Sequence, residues 1–463
     1  MGRLKGMDST PRSSARAPLA LGIVLLLLAF GLMRWSLPPG VSRQAVEIEG
    51  PGGRPCGAMH WQVPAPKAVL VMGHGVSTNR GVMASLAKAY AGHGYAVIAL
   101  DFWGHGRSRQ HFDWSSNAAQ LHAWLAWAKA QYPALPLAYL GHSMGGVAGA
   151  VALNDSPEAD AFVSLGMLPR DGYPAVKTLI AAGQFEELFR PEQAHASAAG
   201  KADVLISPWS DHVLETWDAT LIRGMVDWTD SALGVPAAPG YSWWRWRLAL
   251  VAGTLGLIAA LLLATGATAL LRGPDGPPRT LPESAPRFSL NPYRLTARLL
   301  RLPGGTPPPR TDSFARAAGL GLLYSLVFIV PLSFLLTDDI FVSRLDHPAR
   351  LLAWGISGVL FSALSLLDKR SLEHLGLEGA WQRFAVSALT RATPLLALGL
   401  LLENIGPGIA FSGMLLIILA FVMLMLAIAY ATASRAAGDT RTGAIANGLI
   451  LGWVFSFWFP LVW

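Results

Sequence analysis

Two hydrophobic rhythms divide the chain. From about Ala45 to Leu233 short apolar runs alternate with longer helix-like stretches of ordinary polarity, and from Trp243 to Trp463 long uncharged runs of membrane-spanning length dominate. Ahead of both, residues 17–33 are apolar behind a polar start that carries Arg3, Lys5, Arg12 and Arg16, with Trp35 at the far edge. No small-x-small cleavage pattern follows, so the run reads as an uncleaved anchor with its N-terminal side in the cytoplasm.

Within the alternating region, residues 45–50 and 57–63 form two strand-like runs around the turn Pro51-Gly52-Gly53-Arg54, an opening hairpin. Strands are then predicted at 68–73, 95–101 and 137–140, with helices at 82–93 and 116–132 between them. Further strands are predicted at 161–167, 176–182 and 203–207, and a closing helix at 213–233. Regular alternation of this kind implies a mostly parallel sheet with helices on both faces. The connection 168–175 is too short for a crossover helix or a cap, so either the strand boundaries differ there or the site has no lid.

After the linker 237–242 come Trp243, Trp244 and Trp246 with Arg245 and Arg247, an interfacial belt. Apolar spans are predicted at 248–271, 317–336, 351–367, 409–430 and 443–463, with 384–402 weaker because it contains Arg391 and Pro394. With the anchor this makes seven spans, or six if the weak one is re-entrant. The expected layout is a tail and anchor (1–40), an α/β domain (41–236), the linker, and an all-α transmembrane bundle (243–463) interrupted by an Arg- and Pro-rich loop at 272–316. Arg391 is expected to snorkel and Glu403 to mark the end of its span.

Composition agrees with a mixed chain: 52% of the 463 residues are hydrophobic and only 14% charged. The formal charge of +7 resides largely in arginines between apolar stretches, and no basic face with interleaved aromatics is present, which argues against a nucleic-acid partner. These arginines serve instead as topology signals. The 272–316 loop holds eight of them, and under seven spans it shares a side with Lys369, Arg370, Arg383, Arg435 and Arg441. That side should be cytoplasmic, which places the α/β domain outside the cytoplasm, in a protein of the plasma (inner) membrane; Arg245 and Arg247 argue mildly the other way. The lone Cys56 excludes an intrachain disulfide, and the sequence suggests neither a metal nor a cofactor.

The chemistry centres on Gly141-His142-Ser143-Met144-Gly145-Gly146, which interrupts a strand and opens a helix. A serine at the tip of such a turn has its hydroxyl pushed out of the fold, while flanking glycines let strand and helix pass closely. Ser143 is therefore the candidate nucleophile; the alternative is an inert serine in a glycine-rich connection. Such a serine needs a base, and the base needs an acid to orient it. His212 follows the strand 203–207 and Glu186 follows 176–182, in the chain order Ser, acid, His. Asp211 and Glu187 compete with Glu186, Asp211 less so because of its adjacency to the base. Backbone N–H groups of Met144 and of Val76, in the loop His74-Gly75-Val76, are the expected oxyanion donors. His74 and His142 are expected to act as hydrogen-bonding braces.

Gly73-His74-Gly75, Asp101-Phe102-Trp103-Gly104-His105-Gly106-Arg107-Ser108 and Gly141-His142-Ser143-Met144-Gly145-Gly146, in that order, resemble the α/β-hydrolase superfamily over about residues 44–236. The similarity is to its small serine esterases and its dienelactone-hydrolase-like and monoacylglycerol-lipase-like members. It implies an α/β-hydrolase fold and an acyl-enzyme mechanism, with Ser143 attacking, His212 shuttling the proton and Glu186 orienting it. The chain departs from the family in using Glu for the commoner Asp and in lacking a cap. A serine nucleophile argues against the epoxide-hydrolase and dehalogenase branches. The expected function is a membrane-anchored serine hydrolase of ester or thioester substrates, small-molecule or lipid, at the bilayer. The alternatives are an acyltransferase using the same triad, or a transporter or sensor with a non-catalytic hydrolase-like domain.

Overall fold

The computed structural model describes residues 11–169, 172–238, 242–272, 292–302, 313–339, 345–373, 375–377 and 380–458. The long helix α1 (Pro11–Trp35) leads into the hairpin β1 (Ser42–Glu49) and β2 (Pro55–Gln62), whose strands pair antiparallel. Then follow β3 (Ala68–Gly73), α2 (Ala84–Gly92), β4 (Tyr95–Asp101), α3 (Asn117–Gln131), β5 (Leu137–His142), α4 (Met144–Asp155), β6 (Ala161–Leu165), β7 (Lys177–Gly183), α5 (Pro191–Ala198), β8 (Asp203–Ser207) and α6 (Ala219–Leu233). These strands form one sheet in the order β1-β2-β4-β3-β5-β6-β7-β8, parallel from β4 onward, with β2 antiparallel to β4.

The central strands β3, β4, β5 and β6 are buried along their whole length, as apolar runs covered on both faces should be. Alternate residues go to opposite layers. Leu70, Met72, Val97, Leu140 and Val163 pack with α2 and α6, while Val69, Val71, Ile98, Tyr139 and Phe162 pack with α3 and α4. The register sets Gly73 opposite Gly141 and His142 opposite Leu165, so the carboxyl ends of β3, β5 and β6 converge at one edge. β6 and β7 are parallel neighbours joined by residues 166–176, which hold no helix among the described residues. The expected closing helix is divided: a 3-10 turn at Leu214–Trp217 precedes α6, because Asp218 caps the N-H groups of Thr220 and Leu221 and fixes the helix start there.

The helical half comprises α7 (Leu248–Leu271), the short α8 (Pro292–Leu299), α9 (Phe314–Leu336), α10 (Pro348–Glu373), α11 (Ala380–Glu403), α12 (Ile409–Ala437) and α13 (Thr440–Trp458). Among the described residues six helices are long and apolar enough to cross a membrane: Ala15–Trp35, Arg245–Leu271, Phe314–Leu336, Pro348–Glu373, Trp381–Glu403 and Ile409–Ala437. The weak candidate is thus one of the six, a continuous helix through Pro394, and the predicted C-terminal span is not. That last segment is α13, packed among α9, α10 and α12, while residues 459–463 lie outside the described residues. Arg391 pairs with Asp368 of α10 and donates to the Tyr293 hydroxyl of α8 at 3.1 Å, so its charge has partners within the helical half.

The helix ends sort into two sets. Arg245 donates to the Trp35 carbonyl at 2.7 Å at the foot of the sheet domain, and the link between α9 and α10 meets that domain through buried ion pairs. Asp339 takes Lys88 at 2.7 Å and Arg43 at 2.9 Å, and Asp338 takes Arg80 at 2.7 Å. Burial opposes the charge on Asp339, but Lys88 and Arg43 outweigh it and hold its pKa below the usual carboxylate range. The start of α12 also touches the sheet domain, with Gly408 N–H donating to the Glu187 carbonyl at 2.8 Å. At the opposite ends, Thr440 bonds Glu373 at 2.5 Å, and Gly438 lies against the Arg272 guanidinium. The hydrolase-like domain is therefore docked on one end of the helical half through α2 and the start of β1 as well as through loops at the carboxyl edge of its sheet.

Candidate active site

Ser143 sits between β5 and α4 at φ 53° and ψ −114°, a conformation L residues avoid, held because the strand and helix it joins are packed on both sides. Two glycines make the close approach possible. A Cβ on Gly141 would fall 2.2 Å from the Gly145 carbonyl oxygen, and one on Gly145 would fall 2.4 Å from that of Gly73. Tyr139 Oη donates to the Gly145 carbonyl at 2.8 Å and fixes the same turn from below.

The predicted residues come together. His212 Nε2 is 2.9 Å from Ser143 Oγ, and His212 Nδ1 is 2.8 and 3.0 Å from the two Glu186 oxygens. Glu186 is fully buried, while Ser143 and His212 are 7% and 4% exposed. Glu186 Oε1 also accepts from Leu188 N at 2.8 Å, which fixes the carboxylate. The competing acids are committed elsewhere. Asp211 Oδ1 accepts from Val213 and Leu214 N–H at 3.0 and 2.8 Å, capping the turn after the histidine. Glu187 Oε2 accepts from the His212 backbone N–H at 3.0 Å, and burial pushes its pKa up to about 8.

Met144 opens α4, so its N–H is among the first-turn donors that no helix carbonyl can reach. The loop after β3 abuts the nucleophile: a Cβ on Gly75 would lie 3.1 Å from Ser143 Cβ. Val76 follows in that loop, half-buried. His74 bridges backbone on both sides, Nδ1 donating to the Gly75 carbonyl at 2.8 Å and Nε2 accepting from Phe102 N at 3.1 Å. His142 Nε2 donates to the His212 carbonyl at 3.0 Å. Burial pulls His74 down to about 4 and His142 down to about 3, so both braces are neutral imidazoles.

Glu215 escaped the sequence reading. It is fully buried behind Glu186, and its Oε1 accepts from Gly183 N at 2.7 Å. Its Oε2 lies against the Glu186 carboxyl group, where no donor meets it. Burial, reinforced by the Glu186 charge, pushes Glu215 well above the usual carboxylate range. Gly166, at φ +63°, marks the meeting point: a Cβ there would lie 2.3 Å from Glu215 Oε2, 3.0 Å from His212 Nδ1 and 3.2 Å from Glu186 Oε2. The signal was a glutamate three residues past His212 in a turn the sequence presented as helix. His142, His212 and Glu215 offer ligand atoms within 4.8 Å of one another, but both His212 nitrogens and His142 Nε2 already serve the hydrogen bonds above. Phe411, from the helical half, was equally invisible. Its ring meets the His212 ring edge to face, centroids 5.7 Å apart.

Residues 64–193 match the family model described as serine aminopeptidase, S33, a stretch that includes Ser143 and Glu186 and ends before His212. The chain is 38% identical over 85 residues to a monoacylglycerol lipase of Mycolicibacterium smegmatis, covering 18% of this chain and 30% of that protein. It is 30% identical over 103 residues to a monoglyceride lipase homolog of Monkeypox virus, covering 21% and 37%. The chain thus spans about a third of the length of the curated relatives it matches. Among solved structures, a lidless α/β serine hydrolase from Xanthomonas campestris aligns at 20% identity and TM-score 0.37, over 44% of this chain and 99% of its own. An esterase from Pyrococcus furiosus aligns at 14% identity and TM-score 0.37, over 42% and 94%. The N-terminal half of the chain is an α/β-hydrolase domain of the serine-hydrolase, lipase-like kind, and several long apolar helices follow it in the C-terminal half.

Proposed function

We propose that this protein is a membrane-anchored serine hydrolase that cleaves acyl esters through an acyl-enzyme on Ser143. The observation that carries the reading is the continuous hydrogen-bonded line from Ser143 Oγ through the His212 ring to Glu186, at 2.9 and 2.8 Å. His212 Nε2 accepts the hydroxyl proton as Ser143 Oγ attacks the ester carbonyl carbon, and Glu186 stabilises the imidazolium that forms. The carbonyl oxygen becomes the oxyanion facing the N–H groups of Met144 and Val76. Collapse breaks the bond to the alcohol, which leaves with the proton from His212, and water repeats the sequence to release the acid and restore Ser143. The lipase names of the two curated relatives favour a lipid ester as substrate.

The same reading assigns residues 41–236 to catalysis and 243–463, with the N-terminal anchor, to the membrane. The arginine-bearing ends away from the hydrolase domain face the cytoplasm, which leaves that domain outside it. A reporter active only outside the cytoplasm is expected to work when fused after Ala237 and to fail after Pro307; the opposite result reverses the orientation.

The deciding experiment labels intact membranes with a fluorophosphonate probe. Wild type is expected to label and Ser143→Ala to stay dark, with at least ~10³-fold less hydrolysis of p-nitrophenyl butyrate. Equal labelling or equal hydrolysis in Ser143→Ala ends the nucleophile assignment.

A further inference from the structure

The hydrolase domain inserts no cap of its own among the described residues, yet its catalytic pair is covered. The cover comes from the helical half. α11 ends at Glu403 and α12 begins at Ile409, and the link between these two apolar spans lies on the site. Gly408 N–H holds the Glu187 carbonyl at 2.8 Å, the Glu187 carboxylate holds the His212 N–H at 3.0 Å, and Phe411 packs on the His212 ring. The buried ion pairs of Asp338 and Asp339 with Arg80, Arg43 and Lys88 fix this placement, so the site is docked and not merely tethered.

Around this contact large apolar side chains are exposed beside the charges of Glu403, Asp211 and Arg190. Phe185 and Trp209, on the two loops that carry Glu186 and His212, are 59% and 79% exposed, and Leu214 just beyond His212 is exposed as well. Ile405 and Ile409 on the membrane link are likewise exposed. Large apolar side chains left bare beside a reactive centre mark a surface that meets something apolar. Their depth says what. Spanning helices end where hydrocarbon gives way to headgroups, and the ester bonds of acyl lipids lie at that same boundary, the level that also favours an exposed tryptophan.

We infer that the link between α11 and α12, with Ile405, Ile409 and Phe411 on the helical side and Phe185 and Trp209 on the loops that carry Glu186 and His212, forms a lateral entrance through which the ester of a bilayer-resident acyl lipid reaches Ser143 while its chain stays in the membrane. The inference rests on the hydrolase reading above and adds the route by which its substrate arrives. A water-soluble short ester needs no such entrance, whereas a long-chain lipid would otherwise have to leave the hydrocarbon for water before reaching the nucleophile.

The test uses full-length protein in phosphatidylcholine liposomes, with active sites counted by fluorophosphonate. Rates are compared on a long-chain fluorogenic monoacylglycerol held in the bilayer and on p-nitrophenyl butyrate in water. In Ile405→Asp/Ile409→Asp the ratio of bilayer to soluble rates per labelled site is expected to fall about tenfold or more, because charge on the rim opposes apolar contact. Independently of turnover, a nitroxide on Trp209→Cys, with the native Cys56 buried, is expected to collide with oxygen in preference to a water-soluble nickel chelate, as at shallow membrane depth. An unchanged ratio, or a label fully open to the chelate, overturns the entrance even where Ser143 labelling upholds the hydrolase. Absent labelling in wild type overturns the hydrolase itself, and the spin-label depth still reports where the rim lies.

Discussion

In the sheet domain Trp61, Trp103, Trp124, Tyr90 and Tyr139 are almost completely buried, whereas along α10 the large residues Leu352, Ile356 and Val359 are 67%, 62% and 70% exposed. The helices touch one another instead through small residues. A Cβ on Gly448 of α13 would lie 2.1 Å from the Ser362 nitrogen of α10, and one on Gly399 of α11 or on Gly413 of α12 would lie 2.8 or 2.6 Å from the other's carbonyl oxygen. Polar groups in this half are turned inward, as in the Arg391, Asp368 and Tyr293 cluster. The contrast fits the proposed membrane setting of the helical half. Water drives large apolar groups into the sheet domain's core, while lipid tails are as apolar as leucine, so the helices gain by close backbone packing and by pairing polar groups among themselves.

The largest expected effect outside the nucleophile lies where the two regimes join. Asp339→Asn removes the carboxylate charge that the buried Lys88 and Arg43 share, and loss of about 3–5 kcal/mol is expected. Denaturation of the full-length protein in detergent checks it. A small loss would mean that the halves are joined by apolar contact and not by this ion cluster.

Packing against a small residue comes next. Gly448→Val should cost about 1–3 kcal/mol by forcing α13 from α10, whereas Gly57→Ala in β2, where a Cβ would meet nothing within 4 Å, should be nearly silent. Similar melting temperatures for both would erase the difference between the regions.

Behind His212, Glu215→Ala removes the buried carboxyl group that lies against Glu186 and is expected to lower kcat by about tenfold, with the acid limb of the pH–rate profile displaced. Glu215→Gln keeps a polar group there and should restore most of the rate and the profile. Equal losses in both variants would reduce Glu215 to a filler of space.

A last effect is a pH dependence to which groups at the carboxyl edge of the sheet contribute. Glu187, with its folded pKa raised to about 8 from 4.5, stabilises fully below pH 4.5 and loses that contribution as pH rises through about 8. The buried His74 and His142, lowered to about 4 and about 3 from 6.5, act oppositely: their contribution is present above 6.5 and is lost as pH falls toward those values. Melting temperature followed from pH 4 to 9 should therefore show a maximum, and Glu187→Gln should flatten its alkaline side while leaving the acid side. An unaltered alkaline side would show that Glu187 is not the group responsible.

What the sequence determined by itself was local in origin. Strand and helix positions from β3 to β8 followed from apolar runs and periodicity, and the turn at Ser143 followed from the glycines its geometry demands. The order Ser143, Glu186, His212 was legible because loops at strand ends inherit their position from the strands. Span lengths were readable for the same reason, since a run of apolar residues declares itself without reference to neighbours. The tertiary structure alone decided the rest. Arg391 looked like an interruption until Asp368 and Tyr293, far away in the chain, were found beside it. Glu215 and Gly166 joined the acid only where β6, β7 and the turn after β8 converge. Phe411 reached His212 across 199 positions of chain, carried by a helix whose own pattern records only that it is apolar. Side-chain types and spacing encode which element forms and which face it buries; which elements then meet depends on docking between surfaces distant in sequence, and no local period carries that information.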